Sequence, residues 1–476
     1  MSTGMGPAQA SSAQAPSAQA VSAQAVPPEA GPDVTGVRAD WVLTMGPAGG
    51  DGLGRVDDGI VVVEGDTIVE VGPAAEVQAH RPGLEVEHLG GHVLMPGMVN
   101  THTHLAMAMF RGVADDRGLE DFLATVVPLE GALLRPEVVH LATRAALVES
   151  LRAGVTTALD MYFFADAALE AAAEVGARVL TGPVMLDAGG PEPMPWPQRM
   201  QRAREWVAAH PSRRGWTPVL GPHSTYAVSV AHLEEVAELA RSSGALVHVH
   251  AAETVAEVAT VSAAHGRPPV DLLHHLGLLG RATVLAHGVH LAPHEVDLMA
   301  ASGAAVAHCP ASNLKLASGV APVRELLGRG VTVSLGTDGP ASSNDLDVLG
   351  AARLAALVHK TAGPSGPDPT ALPAATALAM ATRGGAAALG MDGDLGVLRA
   401  GALADLVAVD LRGPHTQPVY DPASTLVYAA GRGDVAHVWV AGRRVVRDRA
   451  MVGVDEAEVA GDLHRLGDLV RGRRRG

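Results

Sequence analysis

The sequence carries histidines and a carboxylate whose positions could hold a metal ion. His102 and His104 form an H-x-H pair, while His250, His287 and Asp338 each follow or end a short apolar run. Residues i and i+2 of a strand share a face, so both imidazoles of the pair can point the same way. A single histidine is more often a satisfied core or surface residue. Three imidazoles and a carboxylate suit a divalent cation with a position left for water, and the predicted ligands are His102, His104, His250 and Asp338.

Eight short apolar runs position these residues, and segments of helical length separate the runs. Stretches such as 138–152 and 232–241 are rich in Ala and Leu and have helical periodicity. The pattern predicts an α/β fold, a (β/α)8 TIM barrel, in which the active site lies at the C-terminal ends of the strands. The predicted strands are 98–102, 155–161, 178–185, 218–222, 245–250, 283–287, 304–308 and 331–337.

Shorter strand-like segments flank this region on both sides. Residues 60–64 and 67–71 are joined by Gly65-Asp66, which predicts a hairpin, and similar strands return between 405 and 446. A small composite β-sandwich domain built from both chain ends is therefore expected. The predicted division is a disordered low-complexity tail at 1–33, β-domain segments at 34–95 and 401–452, the metal-dependent catalytic barrel at 96–400, and a C-terminal helix with a basic tail at 453–476.

Composition excludes several classes of function. The 476 residues include 51 acidic and 35 basic ones, and the net charge of −16 disfavours a nucleic-acid partner. Cys309 is the one cysteine, which excludes an intrachain disulfide and a cysteine-based zinc site and favours a cytoplasmic enzyme. No run of about 18 apolar residues occurs, so no membrane span is expected. Cys309 beside His308 is not a nucleophile pair, because adjacent strand residues face opposite ways.

Longer motifs around these residues resemble the amidohydrolase superfamily. The similarity is greatest to the branch of S-adenosylhomocysteine, methylthioadenosine and adenosine deaminases, which is related to guanine deaminase and the triazine chlorohydrolases. It extends over about residues 36–450. The motifs are Pro96-Gly97-Met98-Val99-Asn100-Thr101-His102-Thr103-His104, Arg111-Gly112, Val127-Pro128-Leu129-Glu130, Gly221-Pro222-His223-Ser224, His250-Ala251-Ala252-Glu253-Thr254, Ala286-His287-Gly288-Val289-His290, Pro310-Ala311-Ser312-Asn313-Leu314-Lys315-Leu316 and Gly336-Thr337-Asp338-Gly339.

The resemblance implies one divalent metal ion and three catalytic side chains. Asp338 would take a proton from the attacking water, His287 would orient that water, and Glu253 would protonate the ring nitrogen beside the attacked carbon. An ordinary glutamate of a helix first turn is the alternative for Glu253. The metal is expected to be Zn2+, with Fe2+ as the alternative. Dinuclear members often use a carbamylated lysine at the end of strand four, but Lys315 and Lys360 both lie much later, which favours one metal.

The resemblance also implies a substrate site. Glu130 would accept hydrogen bonds from the ribose 2′- and 3′-hydroxyls, although a helix-start glutamate after Pro128 is the alternative. His223 and His250 would line the pocket, and a spare barrel histidine is the alternative for His223. Homocysteine-binding members supply arginines just after strand three, but this sequence has no Arg between 178 and 199. A smaller or neutral 5′ group is therefore expected.

Other polar residues near these motifs have structural interpretations. His248 shares a face with His250 but sits one layer deeper, which favours a structural role. Asn313 and Lys315 are expected to shape the mouth of the site, and a structural role is the alternative for Lys315. The run from Ser342 to Asn344 is interpreted first as a helix cap.

The expected function is metal-dependent hydrolytic deamination of the 6-amino group of an adenine nucleoside, giving the inosine analogue and ammonia. The alternative is a deaminase or chlorohydrolase that acts on another N-heterocycle such as guanine, a pterin or a triazine. A barrel that binds ligands without turnover is the alternative from a different class. The expected partner is a small nucleoside or N-heterocycle, with neither nucleic acid nor membrane, and a homodimer is a family expectation.

Overall fold

A computed structural model describes residues 34–46, 52–362 and 366–475 of the chain. The predicted disordered tail, residues 1–33, lies outside the described residues. The strands are β1 (Val34–Leu43), β2 (Arg55–Glu64), β3 (Thr67–Pro73), β4 (Glu85–Pro96), β5 (Met98–Thr103), β6 (Val155–Asp160), β7 (Arg178–Leu180), β8 (Val184–Met185), β9 (Val219–Pro222), β10 (Leu246–Ala251), β11 (Thr283–His287), β12 (Ala305–His308), β13 (Thr332–Leu335), β14 (Leu406–Asp410), β15 (Val435–Val440), β16 (Arg443–Arg447) and β17 (Ala450–Met451).

Helices connect most of these strands, and a 3-10 helix, Leu105–Phe110, follows β5. None of the described helices combines the length and the apolar character needed to cross a bilayer. The α-helices are α1 (Ala74–His80), α2 (Leu119–Leu133), α3 (Pro136–Arg152), α4 (Ala165–Val175), α5 (Trp196–Ala209), α6 (Val230–Ser243), α7 (Val255–His265), α8 (Pro269–His275), α9 (Pro293–Ser302), α10 (Pro310–Lys315), α11 (Val323–Gly328), α12 (Val348–Val358), α13 (Ala374–Ala381), α14 (Arg383–Ala388), α15 (Pro422–Tyr428) and α16 (Glu456–Arg475).

The central strands are parallel and follow one another in chain order. Strands β5, β6 and β7 form one sheet, and β8 to β13 form another. Seven of the predicted runs each form one strand, whereas the third, 178–185, is broken at 181–183 into β7 and β8. Pro183 has no N–H to donate to a ladder. A Cβ on Gly182 would lie 1.8 Å from the Val219 carbonyl oxygen, so only glycine fits this close approach.

The first and last parallel strands are also bonded to each other. The Thr101 hydroxyl of β5 donates to the Leu335 carbonyl of β13 at 2.9 Å, and the Asp338 amide donates to the His102 carbonyl at 3.0 Å. Because parallel strands direct their carboxyl ends to the same edge, these bonds bring the ends of β5 and β13 together. The side chains at those ends therefore share one edge of the parallel sheets.

Strands from both chain ends form a single eight-stranded sheet. Its order is β17-β16-β15-β14-β4-β1-β2-β3, and the antiparallel pair of β4 and β14 joins the N-terminal strands to the C-terminal ones. The hairpin expected at 60–71 is the antiparallel pair of β2 and β3. A composite sheet is thus observed, in which β1 and β4 form a parallel pair.

A buried ion pair connects this sheet to the parallel strands. The guanidinium of Arg178, at the start of β7, binds the carboxylate of Asp405 just before β14, and one of its nitrogens lies 3.2 Å from Oδ1. The Asp405 side chain is only 1% exposed, and its Oδ1 also accepts the Ala441 amide at 2.9 Å. A charge so deeply buried depends on its partner.

We expect Asp405→Ala to lower the free energy of unfolding by about 3–5 kcal/mol, because it leaves the Arg178 charge buried and unpaired. The matched control is Asp57→Ala in the same sheet, which removes a 67% exposed partner of Arg55. That change should cost less than about 1 kcal/mol. Urea unfolding of both variants measures the difference, and equal losses would contradict the role given to the buried pair.

Candidate metal and active site

The predicted site residues lie together at the carboxyl edge of the parallel strands. His102 is in the last part of β5 and His104 follows that strand, while His250 lies near the end of β10. His287 ends β11, and Asp338 follows β13 by three residues. Two sets of side chains have their ligand atoms within 4.8 Å of one another, namely His102, His104 and His250, and His102, His287 and Asp338.

Backbone carbonyls orient two of the imidazoles. His104 Nδ1 lies 2.6 Å from the Met161 carbonyl oxygen, and His250 Nδ1 lies 2.8 Å from that of His223. A carbonyl can only accept, so Nδ1 carries the proton in each ring and a neutral ring presents a lone pair at Nε2. The two Nε2 atoms are 3.3 Å apart. Burial alone would lower the pKa of His104, but its hydrogen bonds to Asp338 and Met161 raise it to about 9, so Nε2 of this ring carries a proton when no cation is bound. A cation that takes the place of that proton has both Nε2 atoms facing it.

His102 is oriented by His248, a histidine outside the predicted ligand set. Its Nδ1 lies 2.9 Å from His248 Nε2, and its own Nε2 lies 3.2 Å from Asp338 Oδ1. Burial lowers the pKa of His102 to about 3, which keeps the ring neutral and able to bind a metal. His248, interpreted from the sequence as structural, therefore contacts a candidate ligand from the layer below and orients it.

Two serines hold the carboxylate of Asp338. Ser312 and Ser342 donate to Oδ2 at 2.6 and 2.7 Å, while the Gly339 amide donates to Oδ1 at 2.8 Å. Burial alone would raise the pKa of Asp338, but hydrogen bonds from His102 and His104 hold it well below its usual value. The carboxylate is thus ionised, and Oδ1 faces the imidazoles.

These residues fit a divalent cation. Imidazole Nε2 atoms and a carboxylate oxygen converge without a cysteine or lysine among them, and nitrogen–oxygen sets of this kind bind zinc. The carbonyls and hydroxyls behind the ligands supply the supporting hydrogen bonds that metal ligands require.

Glu253 and His287 lie beside this set. His287 Nε2 is 3.7 Å from Glu253 Oε2, and both side chains are buried. Burial raises the pKa of Glu253, so this carboxyl holds a proton more readily than an exposed one. The Asn313 amide nitrogen lies 2.9 Å from His287 Nδ1. Because that nitrogen can only donate, a neutral His287 carries its own proton on Nε2 and can donate it into the site.

A short helix start fixes the position of Glu253. The Thr254 hydroxyl caps α7 by accepting the Glu257 amide at 3.1 Å. The Glu257 carboxylate in turn accepts the amides of Ala252 and Glu253, at 3.0 and 2.7 Å. Glu257 is therefore the first-turn glutamate of α7, and the Glu253 side chain is left to face the site, where Ser318 Oγ lies 3.4 Å from its Oε1.

Besides His250, the predicted substrate residues His223 and Glu130 also lie near the candidate ligands. The half-buried ring of His223 has its centre 4.7 Å from that of His250, and its Nδ1 lies 3.2 Å from Ser224 Oγ. Glu130 is buried on α2, and Tyr162 donates to its Oε1 at 2.6 Å. Burial raises the pKa of Glu130 to about 7.

Several residues of this site were missed or interpreted differently from the sequence. Ser342 bonds to Asp338 rather than acting only as a helix cap, and Asn313 reaches His287 rather than the mouth. Lys315 is structural, since its ammonium contacts Asp115 and Asn344 at 2.6 and 2.5 Å. The sequence reasoning did not identify Tyr162 as a site residue. Its position two residues after the end of β6 is the one signal that could have indicated it.

Comparison with known proteins agrees with this geometry. The model of the amidohydrolase family matches residues 93–445, which include every predicted site residue. The chain belongs to the amidohydrolase family. The resemblance inferred from the motifs is therefore confirmed, and a metal centre at this edge is consistent with it.

Several proteins similar to this chain are named as deaminases. A 5-methylthioadenosine/S-adenosylhomocysteine deaminase of Pelotomaculum thermopropionicum is 40% identical over 89% of this chain and 96% of its own length. A 5′-deoxyadenosine deaminase of Methanothermobacter thermautotrophicus is 42% identical over 78% of this chain and 85% of its own. The crystal structure of an adenosine deaminase from Xanthomonas campestris with bound zinc has a TM-score of 0.87 and 36% identity, over 92% of this chain and 98% of that one.

We expect the purified protein to bind about one divalent ion per chain. His250→Ala should reduce the bound metal to a small fraction, because it removes one of the two facing Nε2 atoms. His294→Ala is the control, since that side chain is 56% exposed and lies outside the candidate set. Elemental analysis after dialysis measures the ratio. Full metal content in His250→Ala would contradict the ligand assignment.

Proposed function

We propose that this protein is a metal-dependent aminohydrolase that replaces the 6-amino group of an adenine nucleoside with oxygen and releases ammonia. The observation that carries the proposal is the pair of Glu253 and His287, 3.7 Å apart, beside the three-histidine and aspartate set. Attack of water on an aromatic C–NH2 carbon needs a metal ion to activate the water and a buried acid to protonate the ring. The names of the relatives support an adenine nucleoside as the substrate.

The metal ligands in this proposal are His102, His104, His250 and Asp338, with Zn2+ favoured and Fe2+ as the alternative. A divalent ion, when bound, lowers the pKa of water and polarises it for attack. The zinc in the related Xanthomonas campestris structure supports the choice of metal.

The three catalytic side chains have different roles in the reaction. Asp338 accepts a proton from the attacking water, and His287 orients that water through its Nε2–H. Glu253 donates a proton to the ring nitrogen beside the attacked carbon, which compensates for the loss of ring conjugation. The proton held by Asp338 then leaves with ammonia as the C–N bond breaks. The hydroxyl proton of the intermediate returns to Glu253 as its oxygen becomes the product carbonyl, so the reaction consumes one water and restores the charge and protonation of the enzyme.

Two side chains are assigned to the substrate. The Glu130 carboxylate accepts hydrogen bonds from the ribose 2′- and 3′-hydroxyls, and His223 lines the pocket beside His250. Glu130 Oε1 has Tyr162 as a donor, and lone pairs remain for a diol. A free base or a triazine has no diol, so this carboxylate favours the nucleoside over the other N-heterocycles.

The loop after β8 favours a neutral 5′ group. The described arginines near it already have partners: Arg199 is buried and donates to the carbonyls of Val184 and Glu192 at 3.0 and 3.2 Å, and Arg202 pairs with the Glu192 carboxylate. Asp187 adds a negative charge that accepts from His232 at 2.7 Å. The carboxylate of an amino-acid tail would find no free guanidinium in this loop.

The same proposal includes a closed (β/α)8 barrel at 96–400 and a β-sandwich made of 34–95 and 401–452. The hydrogen bonds from β5 to β13 support closure of the barrel, and the pairing of β4 with β14 supports a domain built from both ends. Four further expectations remain predictions. They are the disordered tail at 1–33, the helix and basic tail at 453–476, a cytoplasmic location and a homodimer.

A substrate panel tests the function. With zinc bound, we expect ammonia release and the adenine-to-hypoxanthine ultraviolet shift on adenosine, 5′-deoxyadenosine and methylthioadenosine. The kcat/KM for S-adenosylhomocysteine should be at least about tenfold lower, the value of one missing charged hydrogen bond. Activity on guanine or a chlorotriazine, with none on any nucleoside, would favour the alternative function.

Glu253→Gln tests the proton donor. We expect kcat to fall by roughly 10²–10⁴-fold, because glutamine matches the shape of the acid but cannot deliver its proton. Metal content should not change, since Glu253 is not a proposed ligand. Glu234→Gln on the exposed face of α6 is the matched control and should keep full activity. Retained turnover in Glu253→Gln with bound metal would remove Glu253 from the mechanism.

A further inference from the structure

Tyr162 and Glu130 form a buried pair beside the candidate metal ligands. The Tyr162 hydroxyl lies 2.6 Å from Glu130 Oε1, and the two residues are 3% and 6% exposed. Burial and the neighbouring carboxylate raise the pKa of Tyr162 well above its ordinary value, so the hydroxyl keeps its proton and donates it. Tyr162 is the one hydrogen-bond donor to Glu130 among the described side chains.

The pair leaves Glu130 with capacity for two further hydroxyls. A carboxylate has about four lone-pair positions on its two oxygens, and Tyr162 uses one of them. Because a hydrogen bond to one oxygen limits rotation of the carboxylate, it also fixes where the second oxygen points. The bond therefore orients a bidentate acceptor before a ligand arrives.

The same short segment also orients a candidate metal ligand. Tyr162 directly follows Met161, whose carbonyl accepts from His104 Nδ1 at 2.6 Å. The Tyr162 and His104 rings have their centres 6.1 Å apart, and Phe163 packs against the Tyr162 ring edge at 5.5 Å. Two consecutive residues after β6 thus set the position of the ligand and of the carboxylate relative to each other.

We propose that Tyr162 is a positioning residue that holds Glu130 in the orientation that binds a ribose diol, which makes the enzyme selective for ribosides over 2′,3′-dideoxyribosides. The inference rests on the proposed function and adds to it the residue that sets sugar selectivity. A fixed spacing between the diol acceptor and His104 also places the adenine ring at a constant distance from the reacting centre.

The test compares adenosine with 2′,3′-dideoxyadenosine in the zinc-loaded wild type and in Tyr162→Phe, which keeps the ring and its packing. We expect the KM for adenosine to rise about tenfold with kcat within about twofold, because the carboxylate loses its charged hydrogen bond. The kcat/KM for dideoxyadenosine should stay within about twofold. Tyr420→Phe, at an 88% exposed residue, is the control and should leave kcat/KM unchanged for both substrates.

A second variant separates positioning from a general structural effect. In a Glu130→Ala background, Tyr162→Phe should leave the ratio of the two kcat/KM values unchanged, since the acceptor it orients is gone. An equal loss of kcat/KM on both substrates in Tyr162→Phe would overturn the proposal. An unchanged ratio of the two kcat/KM values in that single variant would also overturn it. Loss of thermal stability in Tyr162→Phe with the ratio shifted as expected would still support it.

The outcomes also separate this inference from the proposed function. A wild type that deaminates neither nucleoside would overturn both. A wild type that deaminates both nucleosides equally well would keep the aminohydrolase but remove the diol role of Glu130, and with it that of Tyr162. A selective wild type whose selectivity survives Tyr162→Phe would overturn the Tyr162 proposal alone.

Discussion

The ionised carboxylate of Asp338 is buried among imidazoles, and the arrangement of the site follows from compensating that charge. Ser312 and Ser342 satisfy one oxygen, while the other faces His102 and His104 at 3.2 Å each. A buried charge without partners would cost several kcal/mol. Because the imidazole Nε2 atoms are held toward the same point, a cation that replaces the proton there satisfies the carboxylate and the histidines together.

Backbone strain at the strand ends is part of the same arrangement. Ala252, His287 and Asp338 have φ values of 55°, 75° and 60°, in the left-handed region that residues with a Cβ rarely adopt. Each follows or ends one of the parallel strands at the site. Such conformations cost of order 1–3 kcal/mol each and persist where surrounding contacts determine them. The turns they create send the side chains across the sheet edge.

The clustering of the candidate ligands could be predicted from the sequence because the signals for it are local. The H-x-H spacing places His102 and His104 by the two-residue period of a strand, and short apolar runs locate the ends that carry His250 and His287. The Tyr162–Glu130 and Ser312–Asp338 contacts join residues 32 and 26 positions apart. Serine and tyrosine are common in many environments, so neither pairing has a local pattern that could reveal it. The break at 181–183 did have one, the Gly182-Pro183 dipeptide.

The residues proposed for chemistry and those proposed for substrate choice lie on parts of the chain with different constraints. The candidate ligands and acid lie on strand ends whose positions the packed parallel sheets determine, whereas Glu130 is on α2, between β5 and β6, and Asp187 is in the loop after β8. Residues on such connections can change without moving the strand ends. A relative could therefore keep the same metal centre and accept a different sugar or 5′ group. In this chain the Met161-Tyr162 segment limits that freedom, because it touches His104 and Glu130 at once.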